Sequence, residues 1–219
     1  MAASVANDAS SVHAPATSLL LPGLPAGGDG RCDYCYHDTE AAAAIFADHD
    51  VEEVTLALDA EGGHDALVAR LRQDLAAAGV TLRVKQQPFD EWIEAVRAGE
   101  AALFRLAWAP EHRTGLDMLG PLFRPAGLWN HTGVADEELT GLLDQARQAE
   151  SRSMRHGRLR QAEQRALGLA AVIPLGHREQ RVVVSDGVRG LRLSPLGRAD
   201  LSRLDLAATQ EQGVTPGGG

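Results

Sequence analysis

Between residues 51 and 108 the hydrophobic pattern switches period from one short segment to the next, and this alternation limits the folds open to the chain more than any other feature. VEEVTLAL (51–58) alternates apolar and polar residues as a half-buried strand does. HDALVARLRQDLAAAG then sets Leu67, Val68, Leu71 and Leu75 on one helical face, with Gly79 suited to the left-handed position that ends a helix. VTLRVKQQ (80–87) reads as a strand, DEWIEAVRAG (90–99) as a short helix stopped by its glycine, and AALFRLAW (101–108) as a third strand. Strands that alternate with helices bury their apolar faces in a layered α/β architecture, which is the predicted class.

The flanks extend this pattern. Asp38 is suited to cap a helix over TEAAAAIFADH. Two amphipathic helices are predicted at 136–149, with Leu139, Leu142, Leu143 and Ala146 inward, and at about 154–170, with Leu159, Ala162, Ala166 and Leu169 inward. AVIPLGH, QRVVVS and VRGLRLSP read as closing strands. Residues 1–30 form a Pro/Gly-punctuated connector, 31–206 the folded lobe with its returning strands, and 207–219 a polar tail that lacks the apolar surface to order itself. Trp92, Trp129, Phe89, Phe104 and Phe123 recur at amphipathic spacing and read as packing residues.

Several function classes are disfavoured at this level. The formal net charge is −9, with both signs interspersed, which argues against nucleic acid as a partner. No lysine or arginine precedes Arg31, so no export signal is visible. The longest apolar run, near 166–175, is broken by Gly168 and Pro174 and is shorter than the roughly 18 residues that indicate a membrane span. The eight histidines show no H-E-x-x-H or i,i+4 pairing, and no G-x-S-x-G, P-loop or G-x-G-x-x-G occurs. No cofactor is predicted. RCDYCYHD holds both cysteines, Cys32 and Cys35, with His37 nearby. These supply three zinc ligands where a structural site wants four, and a thioredoxin-like pair would follow a strand rather than a Gly/Pro coil. A small redox or zinc-dependent enzyme using Cys32, Cys35 and His37 is the alternative functional reading.

Several motifs, in their order and spacing, resemble the bacterial extracellular solute-binding proteins of family 5, the peptide- and nickel-type receptors of ABC importers. PATSLLLPGLPAG matches the family's Pro/Gly connector, and YHDTEAAAAIFADH is similar to its Tyr-Asp-Pro-Glu-Lys-Ala helix start. LVARLRQDLAAAGVTLRVKQQPFDEWIEAVRAGEAALFRLAW resembles its helix, strand, aromatic-bearing helix and strand ending in Trp. LFRPAGLWNHTGVADEELTGLLDQAR, LRQAEQRALGLAAVIPLGH and VRGLRLSPLGRADLSRLDL continue the match to about residue 206.

The resemblance implies one lobe of a type II periplasmic-binding-protein-like fold, a mixed sheet flanked by helices, corresponding to the family's C-terminal lobe. It implies a truncated product, or a missing N-terminal lobe carried on another polypeptide; a non-functional receptor remnant is a further possibility. The implied function is peptide or small-solute binding without catalysis, outside the cytoplasm, with the importer's membrane subunits as partners. The family's Trp-x-x-Asp-Tyr-x-x-Pro loop reads here Trp108-Ala-Pro-Glu111-His112-Arg113-Thr114-Gly115. Glu111 takes the position of the carboxylate that holds a peptide's amino terminus, His112 the position of the Tyr, and Arg105 that of a basic residue facing the ligand. The alternatives are that Trp108 is a core residue, Glu111 a solvated charge and Arg105 a surface residue. The family's oxidising compartment favours a Cys32–Cys35 disulfide over metal binding, redox chemistry or free thiols.

Overall fold

The computed structural model describes residues 13–28, 30–178, 182–194 and 196–206. The tail expected over 207–219 lies outside the described residues, as do the first twelve. The chain divides into two compact units, Met1–Glu179 and Gln180–Gly219.

The first unit contains the α/β alternation. Its strands are β1 (His13–Pro15), β2 (Glu53–Asp59), β3 (Thr81–Gln87), β4 (Leu103–Phe104) and β5 (Gly176–Arg178). Its helices are α1 (Thr39–Asp48), α2 (Asp65–Ala77), α3 (Phe89–Arg97), α4 (Gly115–Phe123), α5 (Glu137–Gln148) and α6 (Arg152–Gly168). Three strands make a parallel sheet in the order β3-β2-β4, with Glu53 opposite Thr81 and Leu56 opposite Leu103. β1 and β5 pair antiparallel. The second unit holds two antiparallel pairs, Val188–Arg189 (β6) with Asp205–Leu206 (β9) and Arg192–Leu193 (β7) with Ala199–Asp200 (β8). Strands of both senses are present, but the parallel and antiparallel ones lie in separate ladders.

β2 is central and covered on both faces. Leu56 and Leu58 pack with Val68 and Leu82 under α2, while Ala57 between them packs with Trp92, Ile93 and Val96 of α3. A small residue stands at 57 because the Trp92 indole fills that face and donates from Nε1 to the Ala57 carbonyl at 3.3 Å. The alternation read as a half-buried strand holds over Glu53–Thr55, where Glu53 and Thr55 are exposed, while Leu56, Ala57 and Leu58 are buried between the two helices. Asp38 caps α1, accepting from the Ala41 amide at 2.9 Å, and Gly79 takes φ +83° just beyond α2.

Helices α4, α5 and α6 enclose a second core built from Met118, Leu119, Phe123, Leu139, Leu143, Ala146, Leu159, Ala162 and Ala166. Asp136 caps α5 through the Leu139 amide at 2.7 Å and takes two bonds from Arg165 of α6, at 3.1 and 2.6 Å. The Arg165 hydrogen bond, followed by the Leu139 amide, holds its carboxyl below the usual range. The connector enters the same core. Leu20 is fully buried, and the carboxylate of Glu163, also fully buried, accepts the Leu19 and Leu20 amides through Oε1 at 2.7 Å each. Gly30 closes over this carboxylate; a Cβ there would come within 2.7 Å of its carbon.

Two expectations differ from what forms, and one helix has no counterpart in the sequence reading. Only Leu103 and Phe104 of the predicted 101–108 strand pair with β2. α4 forms although Gly115, Gly120 and Pro121 have poor helix propensity; Thr114 starts it by accepting the Asp117 amide at 3.1 Å, and Pro121 lies inside it. Of QRVVVS, residues 182–185 form no strand. Among the described residues no strand pairs with them, and β propensity alone does not make a ladder.

Glu163→Leu keeps a similar volume but leaves the Leu19 and Leu20 amides unpaired in the core. Urea unfolding should show a loss of about 2–5 kcal/mol, the cost of two buried donors without acceptors. Glu163→Gln retains an acceptor and should lose less.

Candidate functional site

A parallel sheet whose strand order reverses leaves a crevice outside the carboxyl ends of the two strands on either side of the reversal, because their connecting helices lie on opposite faces. Here α2 covers one face and α3 the other, so the reversal falls at β2 and β4. The segment leaving the carboxyl end of β4 is Arg105–Thr114, which contains all four residues picked out for ligand binding.

The structure divides these four between support and exposure. Trp108 is half-buried; its ring packs against the helical core, and its Nε1 donates to the Met118 carbonyl of α4 at 3.1 Å. Its centroid lies 5.8 Å from that of Trp129, which packs against the core of Ala57, Trp92, Ile93 and Val96 on the α3 side of the sheet. Pro110 is buried, and Glu111 directly after it is exposed, with no hydrogen bond or ion pair among the described residues. His112 is exposed, and its Nδ1 lies 3.0 Å from Asp117 Oδ2 in the first turn of α4. Arg105, one residue beyond β4, is half-buried and has no ion pair among the described residues. Glu111 and Arg105 thus combine opposite charges, free of partners among the described residues, on one segment.

At the carboxyl end of β2 the structure adds a pair that sequence reasoning passed over. His64 is buried at 4% exposure and places Nε2 3.0 Å from Asp59 Oδ2. This closes the turn before α2. A side chain on Gly62 would put Cβ 2.1 Å from that nitrogen, so glycine is required there. The available signal was the Gly62-Gly63-His64 run between a strand and a helix. His131 was likewise read only as one of eight unpaired histidines; it stands edge-on to Trp129 and Phe104. Of the aromatics assigned to packing, Trp92 and Phe123 are buried, Phe104 and Trp129 are half-buried, and Phe89 is exposed beside Trp92.

Cys32 and Cys35 form a disulfide with Cα atoms 5.2 Å apart. The loop they close lies against α6 and the residues that follow it. Tyr34 Oη donates to the Val172 carbonyl at 2.7 Å, and Gln164 Nε2 donates to the Arg31 carbonyl at 3.1 Å. Burial pushes the Tyr34 phenol up. His37 points its Nε2 at Thr39 Oγ1, 3.2 Å away. Among the described residues no group of three or more His, Cys, Asp or Glu is placed to hold a metal ion, and no helix is long and apolar enough to cross a membrane.

No protein-family model matches the chain. Curated relatives do. A Pseudomonas aeruginosa protein named "Probable di/tripeptide-binding protein 5" is 28% identical over 176 residues, 77% of this chain and 34% of its own length. Di/tripeptide-binding protein 4 of the same organism is 27% identical over 170 residues, covering 73% of this chain and 32% of that protein. Dipeptide-binding protein DppE of Bacillus subtilis is 23% identical over 153 residues, 69% and 28% of the two chains. Among solved structures, clavulanic acid biosynthesis oligopeptide binding protein 2 superposes with a TM-score of 0.77 at 21% identity, covering 94% of this chain and 41% of that one. HbpA2 of Haemophilus parasuis superposes at 0.74 and 20% identity, covering 85% and 40%. The chain thus has part of the type II periplasmic-binding-protein fold, and its resemblance to the family 5 solute-binding proteins holds. It spans about a third of the length of the curated relatives it matches.

Trp108→Ala should lower stability by about 3 kcal/mol in denaturant unfolding, since a packed, hydrogen-bonded indole is removed from the junction of two cores. Glu111→Gln should leave it within about 0.5 kcal/mol, as at other exposed positions. Reduction should expose two thiols and cost at most about 2 kcal/mol, the closure entropy of so short a loop.

Proposed function

We propose that this chain forms one wall of the ligand cleft in the substrate-binding component of an ABC importer, corresponding to the C-terminal lobe, and that it binds short peptides without catalysing a reaction. The observation that carries the reading is the placement of Arg105–Thr114 at the carboxyl end of β4, beside the reversal of strand order, with the Glu111 carboxylate exposed and unpaired among the described residues. In this reading Glu111 receives a peptide's ammonium group and Arg105 its carboxylate. Trp108 is the support that fixes the segment, and His112 braces it through Asp117. The names of the relatives support peptides as the ligand class, since they are di/tripeptide-binding proteins. The importer's membrane subunits and an extracytoplasmic location follow from the same reading, and the Cys32–Cys35 disulfide suits an oxidising compartment.

A second wall is part of the proposal. On one wall alone the carboxylate stays hydrated, and an exposed ion pair contributes only about 0–1 kcal/mol. Calorimetry with di- and tripeptides should therefore give millimolar affinity or none for the chain by itself. With the remaining lobe of the fold supplied, tight binding should appear, and Glu111→Gln should weaken it about 5- to 150-fold, equivalent to roughly 1–3 kcal/mol. Tight binding that survives both Glu111→Gln and Arg105→Gln unchanged would contradict the assignment.

A further inference from the structure

The loop between α4 and α5 holds a histidine in an unusual position. The His131 ring stands edge-on to two aromatic rings: Phe104 of β4, at 6.5 Å and 64°, and Trp129 of its own loop, at 5.7 Å and 71°. Its Nε2 is withdrawn from solvent and has no hydrogen-bond partner among the described residues. The loop backbone that carries the ring is tied down on both sides, so movement of the ring is a matter of its own side-chain torsions. The His131 amide donates to the Trp129 carbonyl at 2.9 Å, and Asn130 Nδ2 donates to the Arg124 and Val134 carbonyls at 2.9 and 2.7 Å. Trp129 in turn meets Trp108 at 5.8 Å. Phe104, His131, Trp129 and Trp108 therefore form a continuous series of rings from the sheet to the segment that carries Glu111.

We propose that His131 is a proton-operated wedge: neutral, it completes the ring series that holds Trp129 against Trp108, and protonated, it leaves the series and loosens the segment carrying Trp108 and Glu111. A charged imidazolium in this position would keep an N–H on Nε2, the ring nitrogen that is withdrawn from solvent and has no acceptor among the described residues. The surrounding charge opposes protonation as well. The cation that bears on the ring is Arg97 at the end of α3; Phe104 and Trp129 are uncharged, Asn130 and Thr132 flank it as neutral residues, and His131 has no ion pair with a carboxylate among the described residues. Burial, and then Arg97, hold its pKa below the ordinary histidine value. The unfolded chain thus binds the proton more readily than the folded one. The stability contributed by the series is full above about pH 6.5, the unfolded value, and is lost as the pH falls below it.

The proposal concerns packing and stands whether or not the segment binds peptides, so its test uses no ligand. The chain has three tryptophans, two of them in the series. Between pH 7.5 and 5, tryptophan emission of the full chain should move to longer wavelength in a step centred below 6.5. That step should vanish in His131→Phe and survive in His177→Gln, which removes another histidine whose pKa burial lowers. An NMR titration of the His131 ring in the unmodified chain gives the same answer should the Phe variant not fold. A ring pKa at or above 6.5, or an emission step that persists in His131→Phe, overturns the proposal.

Discussion

A single carboxylate in the helical core governs much of the architecture around the site. Burying Glu163 without donors would be prohibitive, so the connector must supply the amides of Leu19 and Leu20. Doing so draws Leu20 fully into the core. Leu20 and Leu159 then press on Gly115, where a Cβ would lie 2.9 Å from a Leu159 methyl and 3.3 Å from a Leu20 methyl. That close approach sets the first residue of α4. From α4 the Met118 carbonyl receives the Trp108 indole, which ties the candidate site to the helical core.

The site lies at the joint between two cores. Trp108 belongs to the helical one and Trp129 to the α3 face of the sheet, and their contact is where these cores meet beside the carboxyl end of β4. This explains why Trp108 is better placed to position a ligand group than to be one. Its polar atom is already committed to α4, whereas the charged groups of Arg105 and Glu111, before and after it, have no ion-pair partner among the described residues. Packing fixes the segment, and the charges remain available.

The parts of the fold that were readable from the sequence are those whose signal is local. Period changes located β2, α2, β3 and α3; Gly79 marked the end of α2 through its positive φ, and Asp38 marked the start of α1 through side-chain capping. The misreadings arise where tertiary contacts override local preference. α4 forms through Gly115, Gly120 and Pro121 because buried Met118, Leu119 and Phe123 outweigh poor propensity. Glu163 was visible as a charge four residues after Leu159 on an inward face, but nothing in the sequence pointed to the amides it would meet. His64 and His131 had no sequence partner at helical spacing; their neighbours, Asp59 and the Phe104 and Trp129 rings, are brought to them by the turn before α2 and by the sheet. At the candidate site, Trp108, Glu111, His112 and Arg105 were found through family resemblance, and the structure adds that Trp108 and Arg105 are half-buried while Glu111 and His112 are exposed.

Backbone amide NMR of the isotopically labelled chain, titrated with a tripeptide into the tens of millimolar range, bears directly on whether this segment is a ligand wall, because it detects the weak contacts expected of one wall alone. The account predicts saturable shifts concentrated in residues 105–117, reduced by Glu111→Gln while the rest of the spectrum is unchanged. Shifts confined to other parts of the chain, or an identical titration for Glu111→Gln, would contradict it.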